Sequence, residues 1–240
     1  MTVPAVDAPT TVGVDGWGDG WVVATAGGRG VEWFAYPQPR HAPRDAFARL
    51  LDDHPAATVA VDIPIGVVDG PRRSDRAAQD FLRGRGATWQ SIFPTPERAV
   101  VEAYESGRTH AEAMAAQRAA GSPGTSIQAW NLIAKMLEVR DALRERPGRQ
   151  VVEAHPECSF RTLDPAIGAT SKKTARGVGM RLRALATVFD LPDLADAPPG
   201  VPVDDLLDAV AVAWTAQRVR SGTATRLPVD AAAGEPVITV

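Results

Sequence analysis

Apolar and polar positions alternate from residue 11 onward. Val12 and Val14 stand against Gly13 and Asp15, the period of two that marks a strand with one face buried. Gly16, Gly18, Asp19 and Gly20 predict a turn, and residues 21–25 a second strand. Gly27, Gly28 and Gly30 turn again before a third strand at 31–36. Three strands joined by short turns predict an antiparallel meander. Apolar positions 46, 47, 50 and 51 then take helical spacing within 45–53. The nearly all-apolar run 58–65 reads as a central strand covered on both faces. Pro64 cannot donate to a ladder, so this strand should end near Ile63, leaving Asp62 at its C-terminal end. A strand reached through a helix is expected to run parallel to an earlier neighbour.

Beyond residue 70 the period changes. Residues 74–84, 97–118 and 126–146 read as helices, broken by glycines and prolines at 84–86, 94–96 and 121–124. They predict a helical cap inserted over about 70–147. A strand at 149–154 ends at His155-Pro156, helices follow at 174–189 and 204–220, and the terminal VITV reads as an edge strand. Residues 1–10 carry two prolines and no apolar period, and read as a loose tail. The fold class is therefore α/β. Three antiparallel strands followed by crossover-connected ones, with helices on both faces of a mixed sheet, match the ribonuclease H-like architecture, as one domain over 11–240.

Composition narrows the function. The 240 residues are 45% hydrophobic and 23% charged, ordinary for a globular protein. A formal net charge of −3 argues against a coating or histone-like role, and leaves nucleic-acid contact to be local or metal-assisted. One cysteine, Cys158, excludes an internal disulfide and a Cys-rich zinc site. The N-terminus lacks the basic start and apolar run of a signal peptide, and no apolar stretch approaches the ~18 residues of a membrane span. The cytoplasm is the expected compartment. Oligomeric state is left open.

The chemistry lies in the acids. Metal-dependent phosphodiester hydrolysis needs hard oxygen ligands converging on one or two divalent cations, Mg²⁺ or Mn²⁺. Asp15 and Asp62 end central strands, and Asp204, Asp205 and Asp208 open the last helix. Each has a plainer reading: Asp15 as a turn former, Asp62 as a salt-bridge partner, Asp204 as an N-cap with Asp205 favoured by the helix dipole. Asp208 lies in the second turn, beyond capping, with no basic residue at i±3 or i±4. Asp15, Asp62, Asp205 and Asp208 are the candidate metal ligands. No phosphate-cradling G-x-x-x-x-G-K-[ST] loop and no G-x-S-x-G elbow occurs.

The blocks VGVDGWGDGWVVA, VAVDIPIG, RRSDRAAQDFL, SIFPTPERAVVEAY, SIQAWNLIAKMLEV, VVEAHPECSF, SKKT and DDLLDAVAVAW occur in this order. From about residue 11 to the end, the chain resembles an uncharacterised prokaryotic domain-of-unknown-function family of predicted ribonuclease H-like nucleases. The resemblance implies Asp15 as the first-strand acid bridging two metals, Asp62 as the fourth-strand acid, and Asp205 or Asp208 as the last-helix acid. The fourth-strand acid is an Asp where junction resolvases often carry Glu. Glu153 and His155 belong to the family pattern, Glu153 as a further ligand and His155 as a proton shuttle. Arg72, Arg73 and Arg76, and Lys172 and Lys173, are positioned as candidate grips for substrate phosphate, although solvated basic faces are commoner. In the same way Trp89, Phe93 and Trp130 stand as base-stacking candidates, with a core role commoner. The implied substrate is a nucleic acid or a small phosphoester. The alternatives are a nucleotide-binding phosphotransferase of the kinase–actin branch, or a catalytically silent scaffold.

Overall fold

The computed structural model describes residues 10–18, 20–39, 41–122 and 124–240. The expected tail lies outside them except for Thr10, as do Asp19 of the first turn and Pro123 of the 121–124 loop. Five strands form one mixed sheet in the order β3-β2-β1-β4-β5. They are β1 (Thr11–Trp17), β2 (Gly20–Gly27), β3 (Gly30–Tyr36), β4 (Thr58–Val61) and β5 (Val151–Glu153). β1, β2 and β3 pair antiparallel, whereas β4 runs parallel to β1 and β5 parallel to β4. The crossover through α1 (Ala46–Asp53) gives the parallel step, as the apolar period implied.

The two periods of two in β1 and β2 sort side chains between two cores. Val12, Val14, Trp21, Val23, Val59 and Val61 point to one face, onto Phe47, Leu50 and Leu51 of α1 and onto Met136, Val139 and Ala142 of α5 (Ile127–Glu145). Val22, Ala24 and Ala26 point to the other, onto α6 (Pro156–Leu163), α7 (Ala175–Ala186) and α8 (Val203–Arg220). The helices α2 (Arg73–Arg83), α3 (Arg98–Glu105) and α4 (His110–Ala119) complete the segment between β4 and β5. That segment is helical, as expected, but only part of it stands apart from the body. α5 underlies the central sheet, while α3, α4 and the first half of α5 share a small core of Val100, Val101, Met114, Trp130 and Ile133. Trp130 is thereby a core residue.

Three local expectations need correction. The helix expected over 97–118 is two, because Gly107 takes a left-handed φ of 78° and Thr109 starts α4 with a capping box to Glu112. Pro156, read as a strand terminator, is also the first residue of α6, where its missing N–H is harmless. The terminal strand, β7 (Ile238–Thr239), pairs with β6 (Arg226–Leu227) in a separate ribbon and touches the main sheet through one bridge to Ala154. Among the described residues no helix is long and apolar enough to cross a membrane.

α8 decides where the chemistry can sit. Leu206, Leu207, Val210 and Val212 are buried around most of its circumference, as befits a helix inside the fold. Its Ala209 and Ala213, one turn apart, lie directly on Gly13 of β1. A Cβ at Gly13 would fall inside the Ala209 carbonyl oxygen and the Ala213 amide nitrogen, and 2.8 Å from the Ala213 Cα. Strand and helix backbones therefore meet, and Asp15, two residues past Gly13, and Asp208, just before Ala209, are carried toward the same end of the sheet.

Candidate active site

In the parallel pair β1–β4, Val14 is opposite Val61, and the Asp62 amide donates to the Val14 carbonyl at 2.9 Å. Asp15 and Asp62 are the next residues on strands spaced about 4.8 Å apart, and both leave the sheet on the α8 side. Asp15 is buried inside β1, which runs on to Trp17 and does not end at Asp15 as expected, and its Oδ1 accepts the Gly16 amide at 2.7 Å. The carboxyl is held well above the ordinary Asp range, first by burial and then by the charges of Asp62, Asp208 and Asp205. Burial likewise raises Asp62, against the pull of His155 and Lys172. Asp208, 3% exposed, is pushed up to about 6 by burial, with Asp62 adding to the rise and Lys172 opposing it. Burial and Asp204 raise Asp205. The charges of Asp62, Asp208 and Asp205 all reach Asp15, so these four acids lie at the same end of the sheet.

Lys172 is their main counter-charge. Its Nζ bonds the Asp208 carboxylate and lies 3.7 Å from Asp204 Oδ2, and Lys173 pairs with Asp204. The partner of Asp208 that the helix itself does not supply thus comes from 36 residues away. α8 begins with Pro202 at its N-cap, so Asp204 serves as an ion-pair acceptor, not the cap the sequence suggested. The lysine turn is built tightly. Thr174 caps α7 by accepting the Gly177 amide, and a Cβ at Gly177 would run into the Ser171 carbonyl. The chain holds only three lysines, and two of them are here.

The VEAHPE segment sends its side chains three ways. Glu153 is opposite Val61, hence on the face away from Asp62, where Arg72 at 2.7 Å and the Ile65 amide at 2.6 Å hold its carboxylate. This corrects its expected place as a further ligand beside Asp62. His155 lies near Asp62; its Nε2 is 3.4 Å from the Ser91 carbonyl and its buried Nδ1 has no protein partner. Glu157 pairs with the buried Arg181 at 2.7 Å.

Residues 13–233 match the model of a family described as Protein of unknown function (DUF429). The chain belongs to that family. No curated protein and no solved structure matches it. In this DUF429 chain most of the basic residues expected as phosphate grips are already paired with acids. Arg72 is 4% exposed and fully engaged by Glu153, Ser74, Thr95 and Asp75. Arg73 is paired with Asp230 and Glu235, which leaves Arg76 exposed on α2. The two lysines are engaged with the acids of α8. Sequence reasoning also missed Arg181, whose charge reaches Asp208 and whose only signal was a basic residue in an otherwise ordinary helix.

The donors suit a hard divalent cation in kind, being carboxylate oxygens partly withdrawn from water. They are not drawn around one, for among the described residues no group of three or more His, Cys, Asp or Glu is arranged to hold a metal. Lys172 stands on Asp208 instead.

Burial lifts the Glu153 carboxyl to about 7, outweighing the opposing pull of Arg72 and of the Ile65 amide. An acid whose pKa is higher folded than unfolded stabilises fully below its unfolded value, and that contribution is lost as pH rises through the folded one. Glu153→Gln cannot lose it. Between pH 5 and 8 the variant should gain on the wild type, by at most about 1.4 kcal/mol per pH unit. Urea denaturation at three pH values checks this, and parallel stability curves would refute it.

Proposed function

We propose that the protein is a divalent-metal-dependent nuclease, or a hydrolase of small phosphodiesters, on a ribonuclease H-like fold. The observation that carries the reading is the placement of Asp15 and Asp62 side by side on neighbouring parallel strands, facing Asp208 of the helix that crosses them. The sheet order β3-β2-β1-β4-β5, antiparallel on one side of β1 and parallel on the other, supports the architecture. Buried carboxylates raised by one another's charge favour a multivalent cation among them. Asp15, Asp62 and Asp208, with Asp205 at the edge, would hold Mg²⁺ or Mn²⁺. The chemistry such an ion supplies is polarisation of the phosphate and stabilisation of charge on the leaving oxygen.

The protein's own groups have separate tasks in this scheme. Asp15 is fixed by the Gly16 amide, which sets its carboxylate direction before any ligand arrives. His155 stands by Asp62 with a buried nitrogen available to accept or pass a proton. The apolar packing of α8 on β1 keeps the acids withdrawn from water, which strengthens their hold on a cation.

A cleavage screen tests the reading: single-stranded, duplex, hybrid and branched nucleic acids and a chromogenic phosphodiester, each with Mn²⁺. Metal-dependent cleavage of at least one substrate is expected, and its loss in Asp208→Asn. Cleavage that survives in Asp208→Asn and Asp15→Asn alike would end the mechanism. Mg²⁺-dependent ATP binding without cleavage would favour the phosphotransferase.

A further inference from the structure

The acids of α8 are already neutralised, and by a side chain suited to leaving. Asp208 is 4% exposed at its side chain, whereas Lys172, whose ammonium bonds it, is 37% exposed. The lysine therefore reaches the buried acid from the solvent side. Its backbone is held in place by the tight Ser171–Gly177 packing, so the mobile part is the four-carbon stem. Without this ammonium Asp208 would be an unpaired buried charge facing Asp62 and Asp15, an unfavourable arrangement. With it, the acids cannot close on a second cation, since an ammonium and a divalent ion repel at contact distance.

We propose that Lys172 is a built-in counter-cation, which holds the acidic cluster together in the metal-free protein and is displaced from Asp208 when a divalent cation binds. The inference rests on the metal-binding reading of the same site. It differs from an ordinary structural ion pair, because removing a structural partner would weaken or spare metal binding, whereas removing a competitor tightens it. Lys173 provides the contrast. It is 69% exposed, lies one residue away and pairs with Asp204, which is outside the proposed ligand set.

The experiment is Mn²⁺ titration by calorimetry of the full chain as wild type, Lys172→Met and Lys173→Met. Lys172→Met is expected to bind Mn²⁺ at least tenfold more tightly than wild type, and to melt lower without metal but recover with it. Lys173→Met should bind as wild type does. Equal tightening in both variants would reduce the effect to bulk charge and overturn the proposal. Unchanged or weaker binding in Lys172→Met, with wild type still binding, overturns the proposal and leaves the metal site standing. No Mn²⁺ binding by wild type or by Lys172→Met overturns both. Should Lys172→Met not fold, amine acetylation of the wild type, read by mass spectrometry, gives the same decision. Mn²⁺ should raise Lys172 labelling severalfold relative to the exposed Lys173, and an unchanged ratio refutes displacement.

Discussion

Gly13→Ala is expected to destabilise the protein by about 3 kcal/mol or more, the upper range for overpacking a core, though it adds one methyl group. The reason is the kind of atom the methyl would meet. At Gly13 it would overlap the Ala209 carbonyl and the Ala213 amide of α8, both backbone atoms inside a helix, so no rotamer change can make room. Either α8 shifts away from β1, opening the layer that holds Val210, Leu206 and Leu207, or β1 leaves its register with β2 and β4. Urea denaturation of the variant should show a lower midpoint with an unchanged slope. A second consequence concerns the site. Asp15 and Asp208 flank this crossing, so the Mn²⁺ binding proposed above should weaken even in protein that remains folded. A variant as stable as wild type would mean that α8 does not lie this close to β1.

The crossing also shows how far the sequence could be read. Period-two alternation at Val12, Gly13, Val14 and Asp15 reveals a strand and the side on which Asp15 emerges, because side-chain direction there is purely local. Pro64 and the apolar run before it place Asp62 at a strand end for the same reason. Ala209 and Ala213 are small residues one turn apart on a helix that is apolar nearly all round, which signals close packing but not the partner. Contacts between distant segments leave no local trace. The Lys172–Asp208 pair spans 36 residues, and SKKT read alone is a basic surface turn. In RRSDR, residues of one charged run have opposite fates. Arg72, the N-cap of α2, and Asp75 in its first turn point inward, and Arg73 and Arg76 turn out. The direction of each follows from where the helix begins and what packs over it, which composition does not encode. The missed α6 has a different cause: a proline after a strand marks an end and a beginning at once.

Asp15→Asn is expected to separate stability from function. Asparagine keeps the oxygen that accepts the Gly16 amide, so this local bond within β1 persists. It removes a charge that burial and three nearby carboxylates disfavour. The pKa of Asp15 is higher in the folded chain than in the unfolded one, so its contribution to stability is complete below the unfolded value and declines as pH rises toward the folded one. The variant escapes that decline. Its melting temperature should equal the wild type's near pH 4 and exceed it at pH 8, each 1 kcal/mol of relief appearing as roughly 2–4 °C for a chain of this length. Mn²⁺ binding and any metal-dependent cleavage should meanwhile fall by at least about a hundredfold, the upper end of what losing even an outer partner of a metal ligand costs. The two measurements together are discriminating. A turn-forming aspartate with no ligand role would leave metal binding untouched, and one paired for structural reasons would melt lower on substitution at every pH. Gain of stability with loss of metal binding is the signature of a group kept charged and buried for its chemistry, at the expense of the fold that carries it.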